Sequence, residues 1–338
     1  MILITGGTGF VGAHLTYQLV TEGHSVRLLI RNREKISALA TVFRFYDREL
    51  SDFDHLIEFS DGDVSDIFSI KEALGDDTQL VFHCAGVVSF SADDKQKLLD
   101  VNFFGTKNMV DASLATNVEK FVYVSSIAAL GDSLDEMVSE QNHKYEVDRN
   151  SHYGISKRKG ELEVWRGSQE GLTTIIVNPT VIVGPGQWSA GSPQLFKTVY
   201  KGMPFYTKGS TGFVDVRNVA QSMIKLAFSE IENEHFLLNN SNLGYQQFFN
   251  MVADNLSVRR PKYEALPWMM NFAAALLGFF GRISGTPSAI NKHVAKSALT
   301  QTVYDNTKIQ SVLKTDYESI EDAIAFTASC FKREHYTV

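Results

Sequence analysis

Ile2-Leu-Ile-Thr-Gly-Gly-Thr-Gly-Phe-Val-Gly12 begins as a short apolar run, passes through glycines at 6, 9 and 12, and continues into residues with helical spacing. The run reads as a buried strand and Phe10–Glu22 as a helix. The glycines between them suit a tight turn whose bare backbone can approach a pyrophosphate and let the helix pack on the strand. The helix amino terminus, begun by Phe10 and Val11, then presents free N–H groups to the negative charge. Glycines alone would say little, but here strand and helix flank them in the order that mechanism needs.

Outward from this turn, further apolar runs rich in Val, Ile and Phe recur at Ser25–Ile30, Leu80–Cys84, Lys120–Ser125 and Thr174–Asn178, and Phe59–Val64, just before a helical stretch, fits the same sheet. Helical stretches separate them, notably Asp66–Leu74, Asn102–Ala115 and His152–Glu170. Continuous apolar strands alternating with helices predict an α/β fold, a Rossmann-type doubly wound parallel sheet covered on both faces. After Pro179 the pattern loosens through Val183-Gly-Pro-Gly186 as far as Pro193. Phe213–Phe228 and His235–Asn239 are expected to return to the sheet as a helix and a strand. Residues 1–179 and about 213–240 then form the dinucleotide-binding domain, and 180–212 with about 241–338 a smaller mixed α/β lobe for the substrate.

The chain has 338 residues, 44% hydrophobic and 21% charged, the balance of a soluble globular protein. A net charge of -7 without a Lys/Arg block excludes broad nucleic-acid binding. Cys84 and Cys330, the two cysteines, have no metal-type spacing; no metal site is expected, and the usage fits a reducing cytoplasm. The amino terminus reads directly as a strand, without the features of an export signal. Segment 265–281 is strongly apolar, but Pro267, Asn271 and Arg282 interrupt or close it, and a spanning helix needs roughly 20 apolar residues. It is expected to be buried in the lobe or to roof an apolar pocket, with peripheral membrane contact as the other reading. A homodimer through exposed helices stays open.

The end of the second strand, Leu28-Leu-Ile-Arg31-Asn-Arg33-Glu-Lys35, has no terminal acid to hold a ribose 2′-hydroxyl. Arg31 and Arg33 suit a 2′-phosphate, so NADP(H) is expected over NAD(H). Asp63 and Val64 follow a strand and can contact adenine. Cys84, Ala85 and Gly86 end another, where small residues permit close approach. Asn178-Pro179-Thr180-Val181 offers backbone groups to the carboxamide.

Tyr153 and Lys157 are four apart on one helix and project from one face. An ammonium beside a phenol lowers its pKa from near 10, allowing it to exchange a proton with a carbonyl or alcohol oxygen. Lys157 can also hold the nicotinamide ribose. Ser125 and Ser126 end the strand beside them, where a hydroxyl can hold the substrate oxygen. Asn102 is expected to order a water or to brace the site, the bracing role favoured.

Together, Thr5–Gly12, Asp63-Val64, His83-Cys-Ala-Gly86, Asn102 with Gly105-Thr106, Val124-Ser-Ser126, Tyr153–Lys157, Asn178-Pro179 and Phe213-Val-Asp-Val-Arg-Asn-Val-Ala220 resemble the extended short-chain dehydrogenase/reductase family (the epimerase/dehydratase superfamily) over nearly the whole chain. The resemblance implies Ser126, Tyr153 and Lys157 as the catalytic trio, with Ser126 rather than Ser125 as the active serine. Within the family the sequence looks most like the dihydroflavonol reductase and 3β-hydroxysteroid dehydrogenase branch. The dehydratase Thr-Asp-Glu signature is replaced by Ser126-Ile-Ala128. The arginine common in sugar epimerases is absent from Gly209-Ser-Thr-Gly-Phe213, and position 218 is Asn where Asp is frequent. The expected activity is NADP(H)-dependent reduction of a ketone or aldehyde, or the reverse oxidation. A nucleotide-sugar epimerase or dehydratase retaining its cofactor is the alternative, and a non-catalytic NADP-binding sensor the alternative of another class.

Overall fold

The computed structural model describes residues 1–131, 137–142, 151–269, 297–314 and 317–335. Seven of its strands form one parallel sheet. In chain order the first five of these are β1 (Ile2–Thr5), β2 (Val26–Ile30), β3 (Ile57–Asp61), β4 (Leu80–His83) and β5 (Lys120–Val124). The two-residue β6 (Met137–Val138) lies outside that sheet, which is completed by β7 (Thr173–Pro179) and, after three strands that belong to other sheets, β11 (Glu234–Leu238). The spatial order is β3-β2-β1-β4-β5-β7-β11. Strand order therefore reverses between β1 and β4, the crevice where open parallel sheets bind ligands.

Helices α1 (Phe10–Thr21), α2 (Ile36–Phe45), α3 (Ile67–Leu74), α4 (Lys95–Leu99), α5 (Thr106–Leu114) and α6 (His152–Gln169) connect these strands. Leu3, Ile4, Phe82, Phe121 and Ile176 are wholly buried between the layers, so sheet faces with few polar residues are satisfied from both sides. Two helix starts follow from local chemistry. Asp66 accepts a hydrogen bond from Phe68 N before α3, and Ser151 one from Gly154 N before α6.

The chain leaves the central sheet at Thr180, whose N–H and hydroxyl both donate to the Leu238 carbonyl. There it builds a second sheet from β8 (Val181–Val183), β10 (Ser210–Asp215) and β12 (Ser241–Gly244); β9 (Phe205–Tyr206) pairs elsewhere. This corrects the expectation of a helix beginning at Phe213. Phe213-Val-Asp215 is the end of a strand paired with β8, and the helix over Val216–Ala227 starts only after Asp215. The Asp215 carboxylate caps that helix by accepting from Arg217 N at 2.7 Å, so strand and helix meet at the aspartate.

Asn102–Ala115 also differs. Its first turn is a wide π-helical one over Asp100–Gly105, continuous with α4 before it and α5 after it. Of the apolar segment 265–281, residues 270–281 lie outside the described residues, as do 282–296. Among the described residues no helix is long and apolar enough to cross a membrane.

Candidate active site

The glycine turn has the geometry that the sequence predicts. Gly6 has φ +68°, and a Cβ there would sit 2.6 Å from Ala85 N and 2.7 Å from the Cys84 carbonyl carbon. The end of β1 thus lies directly against Cys84 and Ala85 at the end of β4, tied by Ala85 N donating to Thr5 Oγ1 at 3.2 Å. At Gly12 a Cβ would approach Gly6 O to 2.2 Å, so the helix rests on the turn itself. Gly9 caps α1 without a side chain, leaving the N–H groups of its first turn, Phe10 and Val11 included, free for an anion. His14, one turn on, is buried and held neutral, its pKa lowered to about 4 by burial. Its Nε2–H donates to the Pro185 carbonyl at 2.8 Å while Nδ1 accepts from the Tyr46 hydroxyl at 2.6 Å, fixing α1 to the segment after β8.

At the ends of β2 and β3 the cations have partners that sequence reading missed. Arg31 Nη1 lies 3.3 Å from Asp63 Oδ2, and Arg33 grips Asp61 through Nε and Nη2. Parallel register sets Ile30 opposite Asp61, which is why acids on β3 meet arginines after β2. Both arginine side chains are 61% exposed, so these pairs are screened and exchangeable. Burial raises the Asp63 carboxyl, but hydrogen bonds from Ser65 and the Arg31 charge outweigh it and hold the group below the usual carboxylate range. Val64 is buried, and its carbonyl accepts from Asn108 at 3.0 Å.

At the ends of β4, β5 and β7 the remaining residues converge. Lys157 is 5% exposed; its Nζ donates to the Val124 carbonyl at 2.6 Å and stands 4.6 Å from the centre of the Tyr123 ring. Burial lowers its pKa to about 8, against the pull of Glu161. Gly86 lies alongside, since a Cβ there would be 3.6 Å from Nζ. The Tyr153 phenol lies close enough to the Ser126 hydroxyl for that group to pull its pKa down, and its ring meets Phe90 edge-on at 5.9 Å. Ser126 Oγ also accepts from Ala128 N at 3.2 Å, which fixes its rotamer.

One expectation is revised. Lys157 was expected to depress the Tyr153 pKa, yet its ammonium is turned to the Val124 carbonyl. Burial of the phenol outweighs the lowering influence of the nearby Ser126 hydroxyl, so Tyr153 lies above its ordinary value. Burial likewise pushes the Cys84 thiol up to about 12, which suits a packed wall rather than a nucleophile.

Asn102 braces the site. Wholly buried, its Oδ1 accepts from Val87 N at 2.8 Å while Nδ2 donates to Val87 O and Ser156 Oγ, both at 2.9 Å. It thereby ties the loop after β4 to α6 at Ser156, beside Lys157, from a π turn of the kind often found at functional sites. Pro179 is buried and Val181 half-buried where β7 gives way to β8. Asn178 beside them donates to the Ser126 carbonyl at 3.1 Å. Glu161, fully buried on α6, was not singled out from sequence; its spacing of four from Lys157 was the available signal.

The sequence model of the NAD dependent epimerase/dehydratase family matches residues 2–237. A candidate dihydroflavonol 4-reductase of Synechocystis sp. is 26% identical over 98% of this chain and 95% of its own. The crystal structure of gox2253 superposes with a TM-score of 0.79 at 25% identity, covering 99% of this chain and 98% of that one. UDP-glucose 4-epimerase of Thermotoga maritima, solved with UDP-glucose, has a TM-score of 0.76 over 98% and 99% of the two chains; at 18% identity this likeness concerns the fold.

Proposed function

The chain belongs to the NAD-dependent epimerase/dehydratase family, and from that premise we propose that it is an NADP(H)-dependent oxidoreductase that reduces a ketone or aldehyde or oxidises the corresponding alcohol. The observation that carries this reading is that α6 brings Tyr153 and buried Lys157 to the end of β5, where Ser126 lies, next to the β1/β4 crevice. Gly6, Gly9 and Gly12 with the free amino terminus of α1 fit a pyrophosphate, because any side chain at Gly6 or Gly12 would collide with backbone. Asp63, Val64, Cys84, Ala85, Gly86, Pro179 and Val181 would complete the cofactor groove. Bound nicotinamide would supply or accept the hydride.

The protein's own part is proton transfer and charge placement. Ser126 holds the substrate oxygen by a hydrogen bond, and Tyr153 gives that oxygen its proton during reduction or removes it during oxidation. Lys157 holds the nicotinamide ribose. Phe90, exposed and edge-on to the Tyr153 ring, gives the substrate side an apolar wall. That wall suits a carbonyl compound of moderately apolar character.

NADPH oxidation screened over carbonyl compounds graded in size and polarity tests this function. Turnover is expected with apolar members of the panel. Tight copurified cofactor with no net NADPH oxidation on any member would instead favour an enzyme that returns its hydride. Cofactor choice has its own test. Arg31→Ala removes one exposed charge-assisted contact, worth about 1.5–3 kcal/mol in general, and should weaken NADPH binding by roughly 10- to 100-fold while barely changing NADH. Equal losses for the two would defeat the NADP assignment.

A further inference from the structure

Glu161 has no part in the proton transfer above, yet it is an acid buried completely within the catalytic face of α6. Tyr153, Lys157 and Glu161 follow one another at intervals of four, so they stack along one stripe of the helix. One Glu161 oxygen accepts a short hydrogen bond from Asn178 Nδ2; the other accepts from Arg158 Nη1 at 3.3 Å. The same Asn178 amide donates to the Ser126 carbonyl at 3.1 Å. The Ser125 hydroxyl has no partner of good geometry, although it lies close enough to help hold the Glu161 carboxyl down against burial, which raises it. Donors on both oxygens fit the anion, since a protonated acid would need an acceptor at one of them.

The other groups facing Lys157 carry no charge near neutrality. From β4 these are His83, held neutral with a pKa near 3 by burial, and Cys84, kept as a thiol. From β5 comes the Tyr123 phenol, pushed far up by burial. Among the described residues Glu161, one helical turn along α6, is therefore the anion whose charge acts on this ammonium.

We propose that Glu161 is a positioning residue: through Asn178 its carboxylate fastens the end of β7 to Ser126, and it supplies the buried negative charge that keeps Lys157 an ammonium. The effect on turnover rests on the reductase reading; the effect on Lys157 does not.

The test is Glu161→Gln, which keeps the length and the acceptor for Asn178 but removes the charge. Lysines labelled with 13C at Cε report protonation directly, and the Lys157 signal is assigned by its loss in Lys157→Ala. In the wild type Lys157 titrates near 8; in Glu161→Gln the midpoint should fall by about one unit or more. The alkaline limb of the kcat profile should move with it, while KM for the carbonyl compound stays put. An unmoved Lys157 midpoint overturns the proposal. Should Glu161→Gln not fold, Arg158→Met carries the test with the opposite sign. Freeing the carboxylate of its cation should raise the midpoint, and a midpoint unmoved or lowered is the overturning result. A shifted midpoint in a protein that oxidises NADPH with no member of the carbonyl panel would leave this proposal standing and sink the reductase reading instead.

Discussion

Tyr153→Phe is expected to lower kcat for the proposed carbonyl reduction by roughly 10²- to 10⁴-fold, the range that one positioned proton donor contributes, and to leave NADPH affinity unchanged. The substitution keeps the ring and its edge-on contact with Phe90 at 5.9 Å. It removes the hydroxyl beside Ser126. The glycine turn and the strand ends that fit the cofactor do not involve this oxygen, so binding and turnover should separate. Residual activity would come from Ser126, which can still polarise the carbonyl.

The pH dependence has a definite sign. A raised phenol pKa keeps Tyr153 protonated through neutrality, which is the form that reduction uses. Reduction should therefore hold across neutral pH and fail on the alkaline side, where Lys157, lowered to about 8, is the first of the pair to lose its proton. Oxidation uses the other form of the phenol and should rise as pH rises. NADPH fluorescence titration beside steady-state kinetics checks both claims. A Tyr153→Phe protein turning over at the wild-type rate would remove Tyr153 from the mechanism.

What could be read from the sequence was what depends on neighbours along the chain. Strand β1, the glycine turn and α1 were legible because an apolar run, bare backbone and helical spacing follow one another within 21 residues. Tyr153 and Lys157 were legible because helix periodicity alone puts them on one face. The Phe213 boundary was misjudged because Phe213-Val-Asp215 is too short to show its period; the break is set by pairing with β8 and by the Asp215 cap. The pairing of Arg31 with Asp63 and of Arg33 with Asp61 depends on the register of β2 against β3, which no local pattern encodes. Asn102 was named, but its grip on Val87 and Ser156 comes from a π turn that shifts the helical phase. Glu161 would pass for an exposed acid on a polar helix; only the packing of β5 and β7 against α6 buries it.

Gly12→Ala separates that packing from ordinary helix preference. Gly12 lies inside α1, where alanine normally stabilises by about 1 kcal/mol over glycine. Here the added Cβ would stand 2.2 Å from Gly6 O and 2.8 Å from Gly6 C. Both are backbone atoms, so no side chain can rotate away; either the turn opens or the helix slides off it. Overpacking of this kind costs about 1–3 kcal/mol or more, so the clash wins and the protein loses stability. Binding should suffer further, because the opened turn no longer aims its N–H groups at the pyrophosphate. Losing one charge-assisted hydrogen bond of about 3 kcal/mol corresponds to roughly 10²-fold weaker NADPH binding. Gly23→Ala is the control. It has φ +87° and nothing within 4 Å of its Cβ, so it should lose stability through backbone strain alone and bind NADPH as the wild type does. Thermal unfolding and fluorescence titration of the two variants make the comparison. Wild-type affinity in Gly12→Ala would show that this turn does not hold the phosphates, and the cofactor site would have to be sought elsewhere along the sheet.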